Sequence, residues 1–176
     1  LDTGKMIHKV KVDIFPTDSR QDLEDKLIIA GGAGLLHTLE NLQTAKQEAL
    51  VQDDSLATYA AKLNKTEALI SFNQSAEQID RVIRAGIGRL PAYCFYNGER
   101  VRFLQATPNK QTFEQVSGTI VAATKESIVV SCHQSSLEVF SIQLPGKNPV
   151  TIRDLRNSKP DFFGIDSLFK SSESGQ

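Results

Sequence analysis

Apolar and polar residues alternate along residues 6–14, with Val10, Val12 and Ile14 on one face of the alternation. A period of two is typical of a β-strand that buries one face, so we predict a strand here that Pro16 ends. Beyond the proline the apolar period lengthens, which indicates the start of a different element.

Leucines at helical spacing predict a helix over residues 19–42, and its N-cap candidates are Thr17, Asp18 and Ser19. Three glycines lie inside this helix, each costing up to ~1 kcal/mol relative to Ala: Gly31, Gly32 and Gly34. We expect the helix either to break there or to pack very close to a sheet. A strand followed by a helix is typical of the end of an α/β domain, which we place at residues 1–42.

Residues 43–66 have no persistent apolar period, and we interpret them as a surface linker. After this linker, Ser75 and Gln78 have the spacing of a capping box and predict the start of a short helix. The apolar face of that helix would consist of Ile79, Val82 and Ile83.

The apolar period returns to two after Pro91, where Asn97–Gly98 is a strong signal for a two-residue hairpin turn. Five short strands are predicted in this part of the chain: 92–96, a return strand to about residue 105, 117–124, 127–133 and 136–143. So many short strands with tight turns favour a small barrel resembling the oligonucleotide-binding (OB) fold, which we place at residues 67–170. We expect a short closing helix after Thr151 and a disordered tail at 171–176.

The composition of the 176 residues, with 40% hydrophobic and 23% charged, excludes wholesale disorder and collagen-like structure. No apolar run approaches the roughly 18–20 residues that a membrane helix needs, so we expect no membrane contact. Cys94 and Cys132 are too few for a disulfide framework and fit a reduced compartment. Together with three scattered histidines they have no metal-ligand spacing, so we expect no metal.

The formal net charge of −1 argues neither for nor against a nucleic-acid partner. Residues 75–110 nevertheless hold six basic residues against three acidic ones. This local excess fits an electrostatic contact with a polyanion and fits an ordinary solvated surface equally well.

Asp2 is a carboxylate on a glycine-containing loop just ahead of the first predicted strand. The residue type suits a general base or an orienting group, but an Asp in such a loop is more often a solvated or turn-capping residue.

Three runs, in the order that a known family has them, resemble the methionyl-tRNA formyltransferase family. Residues 1–6 look like the loop and strand start of folate-dependent formyltransferases. The other two runs are 58–68, followed by 75–79 and 83–85, and 142–147, followed by 154–155 and 157–158.

The resemblance implies that residues 1–42 are the C-terminal end of a Rossmann-like formyltransferase domain that binds 10-formyltetrahydrofolate. It further implies that Asp2 is catalytic and that Asp2, Thr3 and Gly4 belong to the folate loop. The barrel at 67–170 would then help to hold initiator methionyl-tRNA. Its candidate phosphate contacts are Arg84, Arg89, Arg100, Arg102 and Lys147.

In this family an Asn, a His and an Asp act together on the tetrahedral intermediate that forms when the methionyl amine attacks the formyl carbon. The His and Asn can donate hydrogen bonds to the developing oxyanion, and the carboxylate can orient the His. Asp2 matches the Asp, whereas the matching Asn and His are not in this sequence. We therefore expect a piece of a longer protein and no catalysis by residues 1–176 alone.

The sequence departs from the family pattern at residues 86–91, where the family usually has an Asn-Pro-Trp-Pro-like segment and this chain has no Trp. Two alternatives stay open. One is a related enzyme that formylates an amino-sugar nucleotide or that hydrolyses or oxidises formylfolate. The other is a stand-alone nucleic-acid barrel, for which Tyr93, Phe95 and Phe103 fit base stacking and core packing equally well. We expect a monomer in the cytoplasm, or in the mitochondrial matrix of a eukaryote.

Overall fold

The computed structural model describes residues 3–172, and the chain divides into two compact units on either side of the Lys62–Leu63 bond. We call them unit 1 and unit 2. Unit 1 contains helix α1 (Arg20–Glu40), helix α2 (Leu42–Gln47) and a short 3-10 helix (Asp54–Leu56). Every residue from 51 to 67 is exposed.

The strand predicted at residues 6–14 is wrong. Within the described part of unit 1, these residues make one isolated bridge, in which the Met6 amide donates to the Leu50 carbonyl at 2.8 Å and the Leu50 amide returns a bond to Met6 at 2.9 Å. Alternation fits a strand, but a strand needs a neighbour whose backbone completes the ladder. Among the described residues of unit 1, only Leu50 pairs with this segment.

Helix α1 is confirmed, and it runs unbroken through its glycines. Ser19 caps it by accepting a bond from the Asp22 amide, and the Asp22 carboxylate accepts from the Ser19 amide in return. At Gly34 an added Cβ would lie 2.9 Å from Cγ2 of Val10. The helix therefore packs very close to the extended segment at Gly34, whereas nothing lies within 4 Å of an added Cβ at Gly31 or Gly32. The expected break does not occur, and the close contact is with a segment that is not a sheet strand.

Apolar side chains cover α1, yet none of its residues is buried within the described structure. Ile28 and Ile29 are 71% and 74% exposed, and Leu36 is 64% exposed. A helix that is apolar on several faces is normally covered on those faces. None of the helices within residues 3–172 has the length and apolarity of a membrane span.

Unit 2 contains a 3-10 helix (Lys65–Ala68), helix α3 (Ala76–Gly86), seven strands and helix α4 (Ile152–Ser158). The strands are β1 (Tyr93–Tyr96), β2 (Glu99–Asn109), β3 (Ile120–Ala123), β4 (Ile128–Cys132), β5 (Ser135–Gln143), β6 (Val150–Thr151) and β7 (Phe169–Lys170). All strand pairs are antiparallel, in the order β3-β4-β5-β2-β1-β7, with β6 beside β5.

The hairpin and both helix starts predicted for unit 2 are confirmed. Asn97 and Gly98 have φ of 49° and 79°, the left-handed pair that a type I′ turn requires. Ser75 and Gln78 form the capping box of α3, and Thr151 caps α4. The five predicted strands are present, while β6 and β7 were missed because each has only two residues.

The sheet curls until its two edges meet, consistent with an OB-like fold. β7 pairs with β1 on one side, and the residues at its start bond to the beginning of β3 on the other. Three backbone bonds make this seam: Phe169 to Gly118 at 2.9 Å, Ile120 to Ser167 at 2.8 Å and Asp166 to Ile120 at 2.9 Å. Closure satisfies the edge amides and carbonyls that an open sheet exposes.

Gly118 lies at this seam in a conformation that other residues rarely adopt. Its φ is +96°, and an added Cβ would lie 2.6 Å from the Phe169 carbonyl oxygen. Because backbone atoms of the seam cannot move aside as a side chain can, glycine is required there.

Side chains from the sheet, α3 and the C-terminal segment fill the inside of the curled sheet. Val101 and Phe103 of β2 are 0% exposed. The Tyr96 ring lies 4.9 Å from the Phe163 ring, and its hydroxyl donates to the Phe162 carbonyl at 2.7 Å. The C-terminal segment is thus part of the core, and Ser171, expected in a disordered tail, donates to the Ile70 carbonyl at 3.0 Å. The tail residues 173–176 lie outside the described residues.

Gly118→Ala is expected to lower the free energy of unfolding of unit 2 by about 2–4 kcal/mol, because it adds backbone strain and forces the seam apart. The measurement is urea unfolding followed by far-UV circular dichroism. Gly164→Ala is the matched control, since nothing lies within 4 Å of its added Cβ. Equal losses in the two variants would contradict the role of the seam.

Both cysteines are expected to resist thiol reagents in the folded chain. Burial raises the pKa of Cys132 to about 12 and places the pKa of Cys94 well above its ordinary value. Since the thiolate is the reactive form, Ellman's reagent at pH 8 should label neither residue until denaturant is added. Rapid labelling of the native chain would show that the barrel opens readily.

Candidate nucleic-acid interface

Two of the predicted phosphate contacts lie on the outer face of β2. Since Val101 and Phe103 point into the core, strand alternation turns Arg100 and Arg102 outward, and both are exposed. In the register of the sheet, Arg102 lies between Tyr93 of β1 and Gln143 of β5. The closed core therefore determines the direction of both guanidinium groups.

Arg100 stacks on an aromatic ring of the neighbouring strand. Its guanidinium carbon lies 4.4 Å from the centre of the Tyr93 ring, and Tyr93 packs edge-on against Phe95 at 5.8 Å. Stacking on the ring restricts the orientation of the guanidinium plane. The N–H groups of the guanidinium that point away from the ring remain available to a ligand. Tyr93 is half-buried on this face, whereas Phe95 is 6% exposed and Phe103 is 0% exposed, so neither phenylalanine offers a ring for base stacking.

A surface cleft of about 330 Å³ opens beside these arginines, lined by Arg100, Arg102, Gln143, Leu144, Pro145 and Gly146. Arg102 Nη1 donates to Gln143 Oε1 at 3.0 Å. Guanidinium groups bind phosphate oxygens through two parallel N–H donors, and a cleft with two of them suits a phosphodiester. The arrangement can therefore bind a polyanion without reading its sequence.

Lys147 lies in the turn at the end of the same cleft. Its amide donates to the Leu144 carbonyl at 3.1 Å, and Gly146 has φ of +65°. Gln143 Nε2 donates to the Lys147 carbonyl at 2.8 Å. The backbone of Lys147 is thus fixed next to Arg102, and its side chain is exposed.

The two remaining basic candidates lie on or after α3, and the cleft lining includes neither. Arg84 Nε donates to Asp80 Oδ2 at 2.7 Å one helical turn earlier, and Asp80 is 7% exposed. Arg89 is exposed in the turn that follows α3, where its amide bonds to the Gly86 carbonyl at 3.1 Å. Arg84 therefore neutralises a buried carboxylate.

The segment 86–91, where the sequence departs from the family pattern, forms this tight turn. The Leu90 amide donates to the Gly86 carbonyl at 2.8 Å, and Gly88 has φ of 81°. An added Cβ on Gly86 would lie 3.3 Å from the Ala92 amide nitrogen. Gly86 and Gly88 thus allow a close turn between α3 and β1.

Asp2, the predicted catalytic residue, lies outside the described residues. Thr3 and Gly4 of the predicted folate loop are exposed, and the Gly4 carbonyl accepts a bond from Gln52 Nε2 at 2.7 Å. None of the described residues forms a group of three or more possible metal ligands.

Sequence reasoning missed Tyr93 as a partner of Arg100, and Gln143 as a partner of Arg102 and Lys147. Gln143 lies in the run 142–147 that resembles the formyltransferases, and this resemblance is the one signal that points to it. The bond between Arg102 and Gln143 depends on the register between β2 and β5, which no local pattern of apolar residues determines.

A sequence profile described as "Formyl transferase, C-terminal domain" matches residues 62–160. This range is more than half of the chain and contains the cleft. The chain belongs to the formyltransferase family. The methionyl-tRNA formyltransferase of Pseudomonas fluorescens is 35% identical to it over 176 residues, which are 100% of this chain and 54% of that relative. The formyltransferase chain therefore spans about half the length of this curated relative.

Two solved structures resemble this formyltransferase chain in fold. A HypX variant from Aquifex aeolicus has a TM-score of 0.67 at 12% identity and covers 94% of this chain and 29% of HypX. An N-formyltransferase from Helicobacter canadensis, in complex with folinic acid and dTDP-3-aminofucose, has a TM-score of 0.54 at 19% identity and covers 79% of this chain and 51% of that enzyme. At these identities the likeness concerns the fold alone.

Arg84→Gln is expected to lower the free energy of unfolding by about 1–2 kcal/mol, because the variant leaves the Asp80 carboxylate nearly buried without its charged partner. Thermal unfolding of the chain measures the loss. Arg81→Gln, an exposed arginine on the same helix, is the control and should change stability by less than about 0.5 kcal/mol. A smaller loss for Arg84→Gln than for the control would contradict the structural role.

Proposed function

We propose that this formyltransferase chain is the C-terminal part of an enzyme that transfers a formyl group from 10-formyltetrahydrofolate to the amino group of initiator methionyl-tRNA. The observation that carries the proposal is the 35% identity to a methionyl-tRNA formyltransferase along the whole chain. Such an enzyme would act in translation initiation, in the cytoplasm or in the mitochondrial matrix of a eukaryote, and we propose that it acts as a monomer.

Unit 2 would hold the tRNA. The cleft at the start of β2 and the end of β5 supports this role, since it gathers Arg100 and Arg102 on one exposed surface with Lys147 in the adjoining turn. Cations placed at fixed positions contact phosphates and orient a folded RNA without reading its bases. Arg89 remains a candidate for a separate contact.

Unit 1 would be the end of the Rossmann-like catalytic domain. The apolar faces of α1 support this assignment, because Ile28, Ile29 and Leu36 are exposed in unit 1 and would be covered when further elements of such a domain pack on the helix. The extended segment at residues 6–14 would then find the neighbouring strands that its alternation requires.

The two described residues of the predicted folate loop do not support a role in binding 10-formyltetrahydrofolate. Thr3 and Gly4 are both exposed, and an added Cβ on Gly4 would have no neighbour within 4 Å, so neither residue lines a pocket for a pterin ring. The co-substrate would bind mainly through residues outside this chain, with Asp2 at the margin.

A related enzyme that formylates an amino sugar carried on a nucleotide is the second candidate. The fold likeness to an N-formyltransferase in complex with dTDP-3-aminofucose favours it. Such a small substrate has no extended phosphate backbone. If this candidate is correct, we expect unit 2 not to bind tRNA.

Binding of initiator tRNA to the 176-residue chain separates the two candidates. Filter binding at several salt concentrations should give an affinity that falls steeply as salt rises, because bound phosphates release counterions. Serum albumin serves as the non-binding control protein. If the chain binds tRNA no more tightly than serum albumin does at low salt, the proposal is overturned and the amino-sugar enzyme is favoured.

Arg102→Gln is expected to weaken tRNA binding roughly three- to tenfold and to reduce the slope of log affinity against log salt by about 1. The stability of the chain should not change, since Arg102 is exposed. Lys125→Gln is the matched control, because Lys125 is an exposed cation in the β3–β4 turn, away from the cleft. Equal effects of the two substitutions would mean that the tRNA binds without using the cleft.

A further inference from the structure

Gln143, the last residue of β5, connects the two sides of the cleft. It is directly opposite Arg102 in the β2–β5 register and is half-buried. The next inward residue, Ile142, is 0% exposed, so strand alternation turns Gln143 to the outer face that carries the arginines.

Both ends of the Gln143 amide are used, each by a different cationic residue. Oε1 accepts the bond from Arg102 Nη1 at 3.0 Å, and Nε2 donates to the Lys147 carbonyl at 2.8 Å. An amide turned the other way would place an NH2 group against the guanidinium and an oxygen against a carbonyl. The two partners therefore fix its orientation.

The bond to Lys147 adds a side-chain constraint to the turn that joins β5 and β6. Pro145 and Gly146 form its tip, and nothing lies within 4 Å of an added Cβ on Gly146. Within the turn, the Lys147 amide returns to the Leu144 carbonyl. Because Gln143 bonds to both residues, it fixes the position of the Lys147 backbone relative to the Arg102 guanidinium.

We propose that Gln143 is a positioning residue for polyanion binding, which holds the Arg102 guanidinium and the Lys147 turn in the arrangement that contacts two neighbouring phosphates of the tRNA backbone. The proposal rests on the proposed function of unit 2. Gln143 carries no charge, so its contribution comes through its two partners.

The physical reason is the entropy of long cationic side chains. An exposed arginine or lysine loses rotamer freedom when it binds a phosphate, and this loss opposes binding. A guanidinium already held by a neutral acceptor has less freedom to lose. An acidic residue at the same place would hold the guanidinium more strongly but would cancel part of its charge, whereas glutamine leaves the full positive charge for the phosphate.

The test is a comparison of Gln143→Met with the parent chain. Methionine keeps the length of the side chain and removes both hydrogen bonds. We expect tRNA binding to weaken about three- to tenfold, with an unchanged salt slope because no charge is removed, and with an unchanged midpoint of thermal unfolding. In a chain that already carries Arg102→Gln and Lys147→Gln, Gln143→Met should have no further effect, measured at low salt so that binding stays detectable.

Gln105→Met is the matched control, since Gln105 is an exposed glutamine on β2 that lies outside the cleft lining. It should leave tRNA binding unchanged. An equal loss from Gln143→Met in the parent and in the doubly substituted chain would overturn the positioning role, as would a lowered unfolding midpoint that accounts for the lost binding.

Heparin binding separates this proposal from the proposed function. If the parent chain binds heparin but not tRNA, the function in tRNA binding fails, and the same series of variants on heparin still decides the positioning role. If the parent chain binds neither polyanion, the cleft makes no such contact and both proposals are overturned.

Discussion

The seam between residues 118–120 and 166–169 is the constraint on which the rest of unit 2 depends. Without it the sheet would be an open strip with two exposed edges, and its concave side would have no lid. With it, Phe163 and Phe169 pack against Tyr96, and the inward residues of every strand share one core. The backbone approaches so closely at the seam that only glycine fits at residue 118.

The same closure places the candidate binding surface. Because Val101 and Phe103 point into the core, the alternate residues of β2 face outward. Antiparallel pairing then places Tyr93 on one side of Arg102 and Gln143 on the other. Charge alone in this part of the sequence fitted an ordinary solvated surface equally well. The register of the sheet places Arg100, Arg102 and the turn at residues 144–147 around one cleft.

Local signals predicted most of unit 2. Asn97–Gly98 predicts a hairpin, and Ser75 with Gln78 predicts the start of a helix. Each motif can be recognised locally, because the backbone hydrogen bonds that it makes join residues only a few positions apart. Residues 6–14 show the opposite case, since alternation does not supply a partner strand. The pairing of β7 and the bond between Arg102 and Gln143 could not be predicted either, because each joins residues far apart in sequence. The charge of Arg84 alone suggests a phosphate contact, but Asp80 lies one helical turn away and pairs with it. Such i,i+4 pairs are visible in the sequence and compete with a ligand for the cation.

The late position of β7 in the chain has a consequence for biosynthesis. Tyr96 and its neighbours emerge from the ribosome well before Phe169, the strand partner that completes their ladder. During that interval the nascent sheet has two unpaired edges and an uncovered aromatic core, the state in which strands of different chains can associate. Unit 2 therefore reaches its native topology only after almost its whole length has been translated, and a premature stop codon near residue 165 would release a chain that cannot close.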